Sequence, residues 1–357
     1  MNARPTASAD PDRIYVTDCE GPLTKNDNAQ EIAERFIPDG AGFFARLSRY
    51  DDFLADVVHR SGYNAGDTLR LLPPFLKAFY VTDEDVDSFS AERVLLVPGT
   101  LKVLESVTAL MPAFIISTSY TPYLKALCEI AGFPMERVRC TELSLDAWQM
   151  PEDEAAWLRG VADEVLARPV IDIPDGASSA ADLSPGGRET VAELDDLFWS
   201  RMSGRVSGEM VAAVRPVGGG QKLAALEAII AAGGVAGSDV MYVGDSITDA
   251  PPLAAVKAWG GVSLSFNGNG YAIAAAEFAA ASPDAEVQAQ LARAFATGGR
   301  DAVEAAVRAW PRPKKGERPR GRARATVGVV AEAGDTLAEA SAATRRTVRG
   351  EQAASLG

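Results

Sequence analysis

Residues 14–24 read IYVTDCEGPLT. A short run of β-branched and aromatic residues ends abruptly in two carboxylates two positions apart, and Gly21-Pro22 follows at once. Ile, Tyr and Val favour a buried strand, whereas Gly and Pro mark the turn that ends it. This places Asp18 and Glu20 at the mouth of a buried strand running from Ile14 to Thr17. There, one carboxylate can attack while its neighbour handles protons. The plainer alternative is a pair of surface acids at a strand end.

Three further segments, far apart in the chain, carry matching chemistry. FIISTSYT (114–121) is an apolar strand ending in the hydroxyl cluster Ser117, Thr118 and Ser119. GGGQKLAAL (218–226) is a glycine run leading into a helix with Lys222 in its first turn. VMYVGDSITDAPPL (240–253) is a strand that delivers Asp245 and, four residues later, Asp249. Each has an ordinary reading alone: a strand-end hydroxyl, a surface lysine opening a helix, an aspartate capping one.

The ordered set of carboxylate pair, hydroxyl, lysine and carboxylate pair resembles the four signature motifs of the haloacid dehalogenase-like (HAD) superfamily, most of whose members are phosphohydrolases. The resemblance implies an aspartyl-phosphate intermediate on Asp18, with Glu20 protonating the leaving oxygen and then activating water. Ser117, or Thr118 in its place, would bind a phosphate oxygen, and Lys222 would orient the nucleophile. It implies Mg²⁺ held by Asp18, the backbone carbonyl of Glu20 and Asp245, with Asp249 a direct or water-mediated ligand; hard carboxylate oxygens suit that ion. Two positions depart from the common pattern. Glu20 stands where most members have aspartate, and Pro22 replaces a threonine. DCEGPLT, ISTSYT, GDSITD and SFNGNGYA most resemble the branch called energy-converting hydrogenase A subunit R-like, over about residues 12–280. Asn267, with Asn269, is expected to line the substrate side of the site, though NGNG is also an ordinary turn.

Around these motifs, strand and helix patterns alternate, which predicts a parallel sheet. The expected catalytic core is 12–25, 96–145 and 205–296. Residues 26–95 lack long strand patterns and read as a helical cap insertion rich in aromatics. Most of those aromatics are expected to form the cap's own core. Residues 146–204 read as a second helical insertion, with one stripe at Leu158, Val161 and Val165 and another at Val191, Leu194, Phe198 and Met202. Residues 1–11 are expected to be a short disordered lead-in. From 297 to 357 the chain is expected to be a basic, flexible tail, because 311–325 holds seven Lys or Arg against one Glu. On that reading, a cut after Ala309 leaves folding and activity intact.

Composition narrows the classes. The chain has 357 residues, 47% of them hydrophobic, enough for a real core with insertions. Its net charge of −14 argues against nucleic acid as main partner, the basic tail excepted. Three cysteines without paired spacing suggest no disulfide framework, and a single histidine, His59, leaves acid–base work to carboxylates. No apolar run is long enough for a membrane span or a secretory signal, so a cytoplasmic location is expected. The expectation is a three-layer α/β HAD-like fold with a central parallel sheet and a mostly helical cap. Its activity would be Mg²⁺-dependent hydrolysis of a small phosphorylated metabolite. The alternatives are a phosphotransferase using the same intermediate and a non-catalytic accessory protein of a larger complex.

Overall fold

The computed structural model describes residues 13–311 and 324–350. The expected lead-in, and all but Pro311, Arg324 and Ala325 of the basic stretch, lie outside the described residues. Seven strands form one sheet: β1 (Ile14–Thr17), β2 (Ala113–Tyr120), β3 (Val138–Thr141), β4 (Val240–Gly244), β5 (Val262–Phe266), β6 (Phe278–Ala281) and β7 (Thr326–Val329). Their order is β3-β2-β1-β4-β5-β6-β7, all parallel except β7, which runs antiparallel to β6.

The central strands β1, β4 and β5 are buried along their whole length. That is why β1 and β4 read as nearly continuous apolar runs, whereas β5, VSLSF, alternates with small serines that burial still accommodates. Tyr15, Met241, Val243 and Leu264 face a layer of helices Thr100–Thr108, Thr121–Ala131 and Glu286–Arg308. Ile14, Val16 and Tyr242 face the opposite layer, helices Gly219–Gly233 and Ala250–Ala258. This is the three-layer α/β architecture expected, with a mainly parallel central sheet. From β1 the chain crosses outward through β2 to β3, then returns to the other side of β1 as β4. Ligands of open α/β sheets bind beyond the strand carboxyl ends at such a reversal, and Asp18 and Asp245 follow β1 and β4 there.

The two insertions do not form separate units. Helices Asn28–Phe36 and Gly40–Asp52 share one apolar core with Glu152–Leu166, Pro185–Asp196 and Val206–Ala213. Each insertion carries an apolar stripe that it cannot bury alone, so each covers the other. Tyr50 ties them by polar bonds: its hydroxyl donates to Asp195 (2.5 Å) and accepts from Trp199 Nε1 (2.8 Å). Met210 and Val211 belong to this core, so the cap extends past the expected boundary at residue 204. Most cap aromatics are buried in it, and Tyr80 is the exposed exception.

The chain from residue 297 is not a flexible tail where it is described. The helix Glu286–Arg308 continues through a break at Gly298 and Gly299, β7 is added to the sheet edge, and helix Val330–Arg349 packs over β6 and β7. Two features hid this. FAAA in β6 shows no strand alternation, and TVGV is short and only half-buried. Small residues are what let the helix lie close. Leu337 is buried against Ile273 and Ala279, and the Ser341 hydroxyl donates to the Gly268 carbonyl at 2.8 Å. The seventh strand also covers an edge of β6 that would otherwise invite pairing with another chain.

Truncation after Ala309 is therefore expected to lower the thermal midpoint and promote aggregation, contrary to the sequence-based expectation. Leu337→Ala should cost about 2 kcal/mol, near the low end for a buried leucine because its cluster is small. Thermal and urea melts check both, and a truncated protein melting like the full chain would show that β7 and the last helix add nothing to the fold.

Candidate active site

Asp18 is fixed by the end of β1. Its N–H donates to the Val243 carbonyl at 2.9 Å, its Oδ1 accepts from the Cys19 N–H at 2.6 Å, and its Oδ2 lies 2.6 Å from Lys222 Nζ. Lys222 sits in the first turn of helix Gly219–Gly233 with no solvent exposure. Its ammonium also reaches Asp249 Oδ1 at 2.8 Å. Asp249 is heavily bonded: Oδ1 also accepts from the Tyr242 hydroxyl (2.8 Å), and Oδ2 from the N–H groups of Asp245 (3.0 Å) and Ser246 (3.1 Å). Asp249 thus holds both Lys222 and the turn after β4.

Asp245 is buried beside them. Oxygens of Asp18, Asp245 and Asp249 come within 4.8 Å of one another. Two glycines make the approach feasible. At Gly21, which has φ +97°, a Cβ would lie 2.2 Å from the Asp245 carboxylate. At Gly218 it would lie 2.3 Å from the Ala65 carbonyl oxygen of the cap. The donor set of three converging carboxylates fits a hard divalent cation. With Asp249 bonded as described, Asp18 and Asp245 are the side chains suited to direct ligation.

Burial, then Asp249, pushes the Asp18 carboxyl well above the usual range, with Lys222 opposing. Burial alone would lower Lys222, but Asp18 and Asp249 outweigh it and hold the ammonium above its ordinary value. Burial likewise works against the Asp249 carboxylate, but Lys222 and the bonds above win and keep it low. Glu20 lines the same pocket and accepts from the Asn28 N–H at 2.8 Å. Burial, then Asp27, pushes its carboxyl up to about 8.

The hydroxyl cluster is arranged differently from the expected order. Thr118 and Ser119 line the pocket, whereas Ser117 lies beneath it, fully buried, with its Oγ accepting from the Ser119 N–H at 3.2 Å. The register of β2 is irregular between Ile116 and Tyr120, where this cluster lies. Asn267 is not on the pocket wall either. It adopts a left-handed φ of 49°, and its side chain pairs with the backbone of Ser282, donating to O and accepting from N at 2.8 Å each. It fastens the turn after β5, so the expected substrate contact is replaced by a structural one. His59 is exposed at the end of a cap helix, its Nδ1 2.9 Å from the Ala55 carbonyl.

Sequence reasoning missed Arg345 and Arg349. Arg345 Nη1 bonds Asp245 Oδ2, and Arg349 Nη1 reaches the same oxygen at 3.0 Å. A signal for them existed: Leu337, Ser341, Arg345 and Arg349 recur every four residues and mark one helix face. The pocket is small, about 110 Å³, and the cap contributes Phe44, Asp51 and Asp52 to its roof. No helix among the described residues is long and apolar enough to cross a membrane.

Asp51 gives a pH test of this roof. Burial, then Asp52, holds its carboxyl well above the ordinary value, opposed by the Gly66 N–H at 2.9 Å. A raised folded value means the native state keeps a proton that the unfolded chain has released. Its contribution to stability is therefore full below the ordinary carboxylate value and is lost as pH rises above it. Asp51→Asn keeps an acceptor for Gly66 and removes the titration. Its melting midpoint should fall less between pH 5 and pH 8 than that of the wild type; equal falls would count against the buried, protonated Asp51.

No family model and no curated protein matches the chain. Among solved structures, gene product AF1437 from Archaeoglobus fulgidus superposes with a TM-score of 0.82 at 28% identity, over 97% of this chain and 99% of that one. The likeness runs through nearly the full length of both. A phospho-aspartyl intermediate analogue of phosphoserine phosphatase matches with a TM-score of 0.43 at 12% identity, over 75% and 92%. A HAD family hydrolase, t0658, from Salmonella enterica subsp. enterica serovar Typhi matches with 0.41 at 11%, over 73% and 64%.

Proposed function

We propose that the protein is a Mg²⁺-dependent phosphatase of the HAD type, hydrolysing a small phosphorylated metabolite through an aspartyl-phosphate on Asp18. The observation that carries this is the buried Lys222 ammonium bridging Asp18 and Asp249, with Asp245 alongside, at the reversal point of the sheet. An ammonium at 2.6 Å fixes one oxygen of Asp18 and offsets charge on an incoming phosphoryl group. Cys19 N–H fixes the other oxygen, so the nucleophile is held before substrate arrives.

In the same reading, Asp18, the Glu20 carbonyl and Asp245 hold Mg²⁺, and Asp249 acts through Lys222 and the β4 turn. The bound ion would neutralise phosphoryl oxygens during transfer. Glu20 lines the pocket two residues after the nucleophile, which suits proton transfer to the leaving oxygen and then from water. Thr118 and Ser119 sit where hydroxyls can meet phosphoryl oxygens, and the small pocket suits a small substrate. Placement in the energy-converting hydrogenase A subunit R-like branch rests on its four sequence segments alone. A cytoplasmic location rests on composition.

Hydrolysis of p-nitrophenyl phosphate, with Mg²⁺ and with EDTA, tests the reading. Activity should require the cation, and undiminished turnover in EDTA would remove the metal from it. Asp18→Asn should abolish turnover in a folded protein, since an amide of the same shape is a poor nucleophile. Glu20→Gln should slow it by roughly 10²–10⁴-fold. Adding acceptor alcohols separates the alternatives: a phosphorylated acceptor identifies a phosphotransferase, and no turnover in either assay identifies a non-catalytic protein.

A further inference from the structure

Arg345 and Arg349 stand one helical turn apart on the last helix and converge on one carboxylate oxygen, Oδ2 of Asp245. Both side chains are almost wholly buried, and both line the pocket shared by Asp18 and Glu20. Backbone carbonyls anchor them. Arg345 Nη1 also donates to the Asp245 and Asn267 carbonyls at 3.2 and 3.4 Å, and Arg349 Nε donates to the Lys25 carbonyl at 2.9 Å. The helix itself is pinned by Leu337 and Ser341.

Charge balance gives this arrangement a meaning. The cations Lys222, Arg345 and Arg349 face the carboxyl groups of Asp18, Asp245 and Asp249, and Glu20 and Asp27 also act on Arg349. A divalent cation taking Asp245 would leave two adjacent buried guanidiniums without that anion, beside a further positive charge. Like charges at such range in a poorly hydrated site oppose binding strongly. A phosphoryl dianion arriving with the cation offsets its two positive charges and offers anionic oxygens to the guanidiniums that Asp245 has released. A guanidinium has five N–H donors, and its fork matches phosphate oxygens. The anchors on backbone carbonyls can therefore persist while terminal nitrogens change acceptor.

We propose that Arg345 and Arg349 are a hand-over pair, which neutralises Asp245 when no cation is bound and passes to the phosphoryl oxygens of the substrate when a divalent cation takes that carboxylate. The inference rests on the phosphatase reading and deepens it. The pair makes cation and phosphoryl group bind as a neutral unit, and so selects phosphate monoesters, which carry a dianionic head, over monoanionic diesters. The coupling is reciprocal: each partner raises the affinity for the other by the same factor.

The test is equilibrium binding of Mn²⁺ to the full-length protein, followed by its electron paramagnetic resonance signal. Titrations are run alone, with inorganic phosphate, and with dimethyl phosphate as the monoanionic control. For the wild type, phosphate should tighten Mn²⁺ binding roughly 10-fold or more, within the usual range of coupling between sites, and dimethyl phosphate should not. In Arg349→Gln, Mn²⁺ alone should bind several-fold tighter, because a positive neighbour of Asp245 is gone, and the gain from phosphate should shrink. Arg349→Lys, which keeps the charge but not the fork, should bind Mn²⁺ alone like the wild type. Mn²⁺ binding that Arg349→Gln leaves unchanged overturns the hand-over while sparing the phosphatase reading. Should that variant fail to fold, equal enhancement of wild-type binding by phosphate and dimethyl phosphate overturns it as well. Absence of Mn²⁺ binding by the wild type under all three conditions sinks both readings.

Discussion

Lys222 is the interaction on which the rest depends. It is a fully buried ammonium between two carboxylates, 2.6 Å from Asp18 and 2.8 Å from Asp249. Burying an ion is costly unless its partners are in place, and removing one partner of such a group leaves an uncompensated charge. Three distant segments must therefore meet correctly. The strand before Asp18, the glycine run before Lys222 and the turn carrying Asp249 are held to one geometry by one ammonium. The glycines at 21 and 218 remove the side chains that would keep the carboxylates and the cap loop from closing on it.

Much of this was legible in the sequence. The strand at Ile14–Thr17, the helix stopping before Gly132 and the strand at Val262–Phe266 follow from burial and punctuation that act locally. Asp18, Lys222, Asp245 and Asp249, each ordinary alone, were legible as an ordered set at strand and helix ends. Ser117 is enclosed whereas Thr118, its named alternative, and Ser119 line the pocket; the irregular register of β2 between Ile116 and Tyr120 leaves no mark in the sequence pattern. Asn267 misled because a polar turn residue satisfied by backbone looks, in sequence, like one waiting for a ligand.

The C-terminal part was illegible for a different reason. β6 is four residues of Phe and Ala, and β7 is short and partly exposed, so neither carries a strand signal of its own. They are strands because β5 offers an edge and β6 then offers another. Fusion of the two insertions is of the same kind. Each stripe announced that something must cover it, but only tertiary contact decides that the cover is the other insertion.

The antiparallel seventh strand has a consequence for biosynthesis. Residues 326–349 leave the ribosome after every other described part of the fold, and domains form progressively as the chain emerges. The carboxylates of Asp18, Asp245 and Asp249 can therefore assemble with Lys222 while Arg345 and Arg349 are still being made. During that interval the nascent site carries an excess of negative charge and β6 has an uncovered edge. Pairing of β7 seals the sheet and docking of the helix that directly follows it supplies the two arginines, so both conditions end within the same last segment of the chain.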